Sequence, residues 1–319
     1  MLCLGIDVAK LKLDCALRLE TGKSRAKVVE NTPAGFAKLE AWLRSHTEEL
    51  PHVCMEATGI YWEAVAEFFA RRGYRVSVVN PAQIKAFSQA QMVRTKTDQV
   101  DAKVIAEFCA KHGPEAWEPP PLSEQELKAM VLRLDALLAM QTQETNRLDV
   151  ARDSVRADIE QHIAWLGEQI KQLRKRIRDH INDDPDMRGK RDLLDTIPGV
   201  GENTIALLLA YGMHSGRFDN GRQAAAFAGL DPRQHESGSS VKQRPRMSKV
   251  GHAHLRKNLY MPAMVTLYRT DWGRQFLTRL QAAGKPAKLV IGAMMRKLVH
   301  VAFGVLKSGK PFNQELQNA

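Results

Sequence analysis

The stretch LCLGIDVAKLKLDCALRLE, residues 2–20, decides the fold. LCLGIDVA (2–9) and KLDCALRLE (12–20) alternate as β-structure and read as two strands joined by a short turn. One residue breaks the pattern. Asp7 lies in the middle of the first strand, where a carboxylate is costly to bury unless something compensates it.

Working outward, SRAKVVENT (24–32) reads as a third strand. PAGFAKLEAWLRSH follows with helical spacing, placing Phe36, Leu39, Trp42 and Leu43 on one face. HVCMEAT (52–58) and YRVSVVN (74–80) read as strands, EAVAEFFARRG as a helix closed by Gly73, and DQVDAKVIAEFCAKHG as a helix closed by Gly113. The order of three strands, then helix, strand, helix, strand, helix is typical of a ribonuclease H-like sheet. The expected class is therefore α/β for residues 1–115, followed by an α-helical remainder.

EPPP (118–121) reads as a linker, and Ser123 with Glu126 as a capping box that opens a helix. Ile159, Ile163, Leu166, Ile170, Leu173 and Ile177 step by 4, 3, 4, 3, 4, with Leu148 and Val155 extending the seam backwards. This predicts a coiled coil or a long helical hairpin over residues 116–184, ended by DDPD (183–186). The third region, 185–319, reads as helices with loops. It includes LRKNLYMPAMVTLY (255–268) and PAKLVIGAMMRKLVHVAFGVLK (286–307), apolar at Leu289, Met294, Leu298 and Val305.

The 319 residues carry a net charge of +11, distributed as +3 over 1–112, −4 over 113–184 and +12 over 185–319. A regional excess of this kind favours an acidic polymer, nucleic acid first, over a general solubility surplus. Cys3, Cys15, Cys54 and Cys109 lack zinc-finger spacing and read as buried free thiols of a reducing cytosol. Neither a signal peptide nor an apolar run long enough to span a bilayer is expected, so the anticipated location is cytoplasmic, away from membranes.

Four acids sit where such a sheet could hold metal: Asp7, Glu56 at the end of the fourth strand, and Asp98 with Asp101, whose spacing puts both on one helix face. Hard oxygen ligands suit Mg²⁺, and a pair of ions can activate a nucleophile and stabilise a leaving oxygen on phosphate. Each acid alone has a plainer role: Asp98 as a helix N-cap, Asp101 as a solvated helix residue, Glu56 as a cap. Thr58 and Asn80, at strand ends, could orient the acids. Arg94 and Lys96 could hold a phosphate or could be solvated loop charges.

IPGVG (197–201) before a helix resembles a helix-hairpin-helix turn, in which Gly199 and Gly201 let backbone N–H groups face a phosphate. In HESGSSVKQRPRMSKVGHAH (235–254) a serine cluster precedes Lys242, Arg244, Arg246 and Lys249, with Arg256 and Lys257 on the next helix; after Glu236 there is no acid until Asp271. Such cations could bind nucleic acid and stabilise charge developing around a serine nucleophile. The plainer reading is a loop whose serines only form hydrogen bonds.

The ordered set IDVAK, CMEATG, KTDQVDA, IPGVGE, AAFAGLDP, ESGSSV and MSKVGHAHLR resembles the DEDD-type transposases of insertion-sequence family one-ten, which are similar to the pilin-gene invertases. The resemblance covers nearly the whole chain. It implies a RuvC-like domain and a C-terminal transposase domain joined by a coiled coil, in a DNA recombinase guided by a non-coding bridge RNA that pairs with donor and target DNA. It places the DEDD set on Asp7, Glu56, Asp98 and Asp101, holding Mg²⁺ as two ions. It places the nucleophile on Ser237, which would form a covalent phosphoserine, with Ser239 and Ser240 as neighbours. A homo-oligomer, dimer or tetramer, is implied, with an active site composed of two parts. The reading set against it is a RuvC-like structure-specific nuclease that uses water.

Overall fold

The computed structural model describes residues 1–57, 59–92, 97–213, 216–237 and 241–317, with side chains described outside 234–245 and 317. The chain divides into two compact units, Met1–Pro119 and Pro120–Ala319.

Unit 1 is built on a five-stranded sheet: β1 (Cys3–Val8), β2 (Lys12–Arg18), β3 (Ser24–Glu30), β4 (His52–Glu56) and β5 (Val76–Val79). The order is β3-β2-β1-β4-β5. The first three strands run antiparallel, whereas β4 lies parallel to β1 and β5 parallel to β4. This arrangement fits the expected ribonuclease H-like sheet. The helices are α1 (Pro33–Arg44), α2 (Glu63–Ala70), α3 (Pro81–Ala90) and α4 (Asp98–His112). The sequence reading has no helix at α3, although Asn80 caps it by accepting a 2.9 Å hydrogen bond from the Ala82 N–H. Gly113 closes α4 in the left-handed region, as expected, with φ 52°.

Strand alternation divides the unit 1 core between the two faces of the sheet. Leu4, Ile6 and Val8 of β1 pack with Phe36, Leu39, Val65 and Phe69 of α1 and α2. Cys3 and Cys54 pack on the other face with Ile105, Phe108 and Cys109 of α4. All four cysteines are buried free thiols, as the sequence suggests.

Unit 2 is largely helical. A hairpin of α5 (Leu122–Asp149) and α6 (Asp153–Asp183) leads to α7 (Pro185–Asp195), α8 (Glu202–Ala210) and α9 (Gly221–Phe227). The two-stranded sheet of β6 (Pro232–Ser237) and β7 (Val241–Met247) follows, then α10 (Ala253–Asn258), α11 (Tyr260–Arg269), α12 (Asp271–Ala282) and α13 (Ala287–Ser308).

The seam from Ile159 to Ile177 belongs to a helical hairpin, the second of the two expected forms. Leu166, Ile170, Leu173 and Ile177 are buried in the unit 2 core, and the turn at 150–152 separates Leu148 from Val155. Other expectations change here. Ser123 does not cap α5: Pro121 holds that position, because a proline φ already suits the approach to a helix. LRKNLYMPAMVTLY is two helices, since Pro262 can neither donate to the Asn258 carbonyl nor fit against it. Among the described residues one helix, α13, is long and apolar enough to cross a membrane by length and composition, where no such apolar run was expected. Its Val290, Met294, Leu298 and Ala302 are buried in the core of unit 2.

Candidate active site

The register of the sheet assembles an acidic group on the α4 face. Cys3, Gly5 and Asp7 share that face of β1 by alternation. Gly5 allows α4 to cross at backbone contact: a Cβ there would stand 2.2 Å from the Ala102 carbonyl oxygen and 2.4 Å from the Ala106 nitrogen. Cys109, near the far end of α4, lies against Cys3, so the start of the helix comes to Asp7. Thr97 caps α4, its hydroxyl accepting from the Val100 N–H at 3.3 Å. Asp98 and Asp101 therefore lie in the first turn, and Asp98 is not the cap.

Neighbouring strands complete the group. Asp14 of β2 pairs directly with Asp7. Gly5 of β1 pairs with Cys54 of β4, which puts Glu56 on the same face two residues further on. Burial pushes the Asp7 carboxyl up to about 6, and the charges of Asp101, Asp98, Glu56 and Asp14 add to the rise in that order.

Lys12 answers part of this charge. Its ammonium lies 2.7 Å from an Asp98 oxygen and 3.0 Å from an Asp14 oxygen. The hydrogen bond from Lys12 holds Asp98 below the usual carboxylate range, and the two carboxylates hold Lys12 above the usual lysine range. Sequence reasoning missed Lys12 and Asp14, which look like ordinary polar positions of a strand until the register is known.

Among the described residues no group of three or more His, Cys, Asp or Glu is closed into a metal cage. The donor set nevertheless suits a hard divalent cation. Every candidate ligand is a carboxylate oxygen, and burial together with the like charges already disfavours the ionisation of Asp7. Asn80 is committed to capping α3. Thr58, Arg94 and Lys96 lie outside the described residues.

In unit 2 the described part of the serine stretch, Glu236 and Ser237, lies in a strand rather than in an open loop. Ser237 is the last residue of β6 and pairs with Val241, and Glu236 pairs with Lys242. Gly238, Ser239 and Ser240 lie outside the described residues, as do the side chains of Ser237, Lys242 and Arg244. Arg246 and Lys249 are exposed, the latter with φ 59°, and Lys257 is exposed on α10. Arg256 is half-buried, and its guanidinium donates to the Ala228 carbonyl at 3.1 Å. That bond ties α10 to the end of α9.

The two glycines of the IPGVG turn differ. Gly199 has φ 95°, and a Cβ there would meet the Thr266 hydroxyl at 2.3 Å. The Trp272 indole donates to the Pro198 carbonyl at 3.1 Å, so this part of the turn packs against α11 and α12. Gly201 opens α8 with free space around it.

At the opposite end of α8 from this turn stands a polar network with no counterpart in the sequence reading. The Tyr211 hydroxyl lies 2.8 Å from His254 Nδ1, His254 Nε2 lies 2.8 Å from Asp135, and the Asn258 amide donates to the same carboxylate at 2.6 Å. It links α5, the end of α8 and α10. Burial pushes the Tyr211 hydroxyl up to about 12, with Asp135 adding to the effect.

Comparison with known proteins agrees in both units. A family model for the DEDD transposase domain of IS110 elements, described as a transposase, matches residues 4–154. A second, described as the transposase IS116/IS110/IS902 family, matches residues 191–278. The chain is 32% identical over 318 residues to the pilin gene-inverting protein of Moraxella lacunata, covering 98% of each chain, and equally similar to that of Moraxella bovis. It is 24% identical over 288 residues to the transposase for insertion sequence element IS1328 of Yersinia enterocolitica, covering 79% of this chain and 84% of the other. Members of the family cleave and rejoin DNA strands, and the DEDD domain implies a divalent metal. The chain belongs to the IS110 family of DNA transposases.

Proposed function

We propose that the chain is an RNA-guided DNA recombinase that exchanges strands through a covalent phosphoserine at Ser237, with Mg²⁺, as two ions, held by Asp7, Glu56, Asp98 and Asp101. The observation that carries this reading is the gathering of Asp98, Asp101 and Glu56 about Asp7, with Asp14 paired to it. Lys12 contributes one positive charge to that group of five carboxylates. When bound, the metal would stabilise negative charge on the phosphoryl oxygens.

The remaining work falls to the chain. Ser237 Oγ attacks phosphorus, one bridging P–O bond breaks, and the serine proton passes to the departing strand oxygen. The reverse attack by the hydroxyl of a new strand restores the phosphodiester and frees Ser237, so the exchange needs no ATP. Exposed Arg246, Lys249 and Lys257 favour phosphate contacts, as do Lys242 and Arg244 by sequence. Gly201 leaves the N-terminus of α8 open to a phosphate. Lys96 favours a phosphate contact of its own by its place in the sequence before Asp98. Guidance by a bridge RNA and assembly as a dimer or tetramer follow from the family resemblance. The names of the Moraxella relatives support DNA inversion beside transposition.

The test is a covalent-adduct assay with Mg²⁺, donor and target DNA and the RNA transcribed from the element. A denaturation-resistant adduct that maps to Ser237 and disappears in Ser237→Ala is expected. Cleavage without an adduct would replace this mechanism with hydrolysis by water. Undiminished adduct formation in Asp7→Ala would remove the acids from the reaction.

A further inference from the structure

Lys12 touches two carboxylates of very different exposure. Asp14 is 5% exposed and Asp98 is 54% exposed, while Lys12 itself is about half exposed. An ion pair between solvated groups contributes little, and salt screens it. A carboxylate shut away from water depends much more on its counter-charge. The two contacts of one ammonium are therefore unequal: the bond to Asp98 is easily given up and the bond to Asp14 is not. Asp98 also belongs to the group around Asp7, where a divalent cation would draw on several carboxylates together.

We propose that Lys12 is an exchangeable counter-ion of this site. Its ammonium holds Asp98 while no divalent ion is present and releases it when one binds, staying tethered to Asp14. This rests on the reading that the DEDD acids take a divalent cation. It adds a positioning residue that sets the affinity for that cation and keeps Asp98 in place until it arrives.

The exchange predicts an opposite sign from a simple structural bridge. A lysine that only shaped the site would weaken cation binding when removed. A competing lysine strengthens it.

The experiment titrates Mn²⁺ into the full-length protein, reading free Mn²⁺ by electron paramagnetic resonance, for wild type, Lys12→Met, Lys12→Arg and Asp7→Asn. Lys12→Met should bind about twofold to fivefold more tightly than wild type, the range expected for losing an exposed ion pair. Lys12→Arg should stay near wild type, and Asp7→Asn should lose the site. Acetylation of wild-type protein, mapped by mass spectrometry, gives a readout independent of any variant that unfolds: labelling of Lys12 should rise with Mn²⁺, and should not in Asp7→Asn.

Equal or weaker binding by folded Lys12→Met, or Lys12 labelling indifferent to Mn²⁺, with the Asp7 dependence intact, would overturn the exchange and leave the metal reading standing. Mn²⁺ binding that ignores Asp7→Asn, or none in any form, would overturn both.

Discussion

Replacing Asp7 by Asn should stabilise unit 1 while destroying its chemistry. In the fold the Asp7 carboxyl is pushed up to about 6, by burial first and by Asp101, Asp98, Glu56 and Asp14 next. In the unfolded chain it titrates near 4. Between those values the folded state binds more protons than the unfolded state, so stability falls as pH rises. The favourable contribution of the protonated carboxyl is present at low pH and is lost as pH rises through about 6. Above that, the fold carries the cost of a charged Asp7. The full displacement corresponds to ~3 kcal/mol, and solvent reaching a half-buried carboxyl reduces this to about 1–2 kcal/mol. Asn keeps the shape and removes the charge. With EDTA present, Asp7→Asn should exceed wild type by that amount at pH 7.5, and the difference should shrink toward zero near pH 4. Hydrogen exchange of β1 and β4 peptides in rising urea reads unit 1 separately from unit 2 and is the suitable assay. A variant less stable than wild type at pH 7.5, or a difference that does not fall with pH, would refute the account of Asp7 as a carboxylate penalised by burial and by neighbouring like charges.

Gly5→Ala should cost about 3 kcal/mol or more, because the new methyl meets the backbone of α4 at Ala102 and Ala106 rather than a movable side chain. A lowered urea midpoint together with weakened Mn²⁺ binding would show that one contact sets both fold and site. Gly199→Ala should destabilise unit 2 through its φ of 95° and its clash with Thr266, whereas Gly201→Ala should melt within about 0.5 kcal/mol of wild type. Weaker DNA binding in Gly201→Ala then reports on the α8 terminus alone. Asp135→Ala should cost about 1–3 kcal/mol, since it leaves the His254 and Asn258 donors without their acceptor; thermal melting checks it.

What was legible in the sequence followed from the cost of burying charge. Asp7 stood out because an acid amid Leu4, Ile6 and Val8 has no cheap explanation, and the spacing of Asp98 and Asp101 showed one helix face. Lys12 and Asp14 carried no such signal, since alternating polar residues are what a half-exposed strand displays. Only the pairing of β1 with β2 turns Asp14 toward Asp7 and brings Lys12 within reach of Asp98. The β6–β7 hairpin was hidden for a related reason: Pro245 and a run of cations argue against a strand, and each strand exists only by pairing with the other, from Pro232 with Met247 to Ser237 with Val241. The missed helix α3 is different, because Asn80 followed by Pro81 was an available start signal.

The same reasoning explains why the acids could be read and their balance could not. A sequence reports the price of each residue against water, one position at a time. The ionisation of a site depends on which charges share a face, and that is a property of register. A one-residue slip between β1 and β2 would turn Asp14 and Lys12 to the opposite face from Asp7, leaving the DEDD acids without the ammonium that now holds Asp98. The apolar alternation of Leu13, Cys15 and Leu17 against the α1–α2 core prevents that slip. The packing on one face of the sheet thereby fixes the charge state of the site on the other.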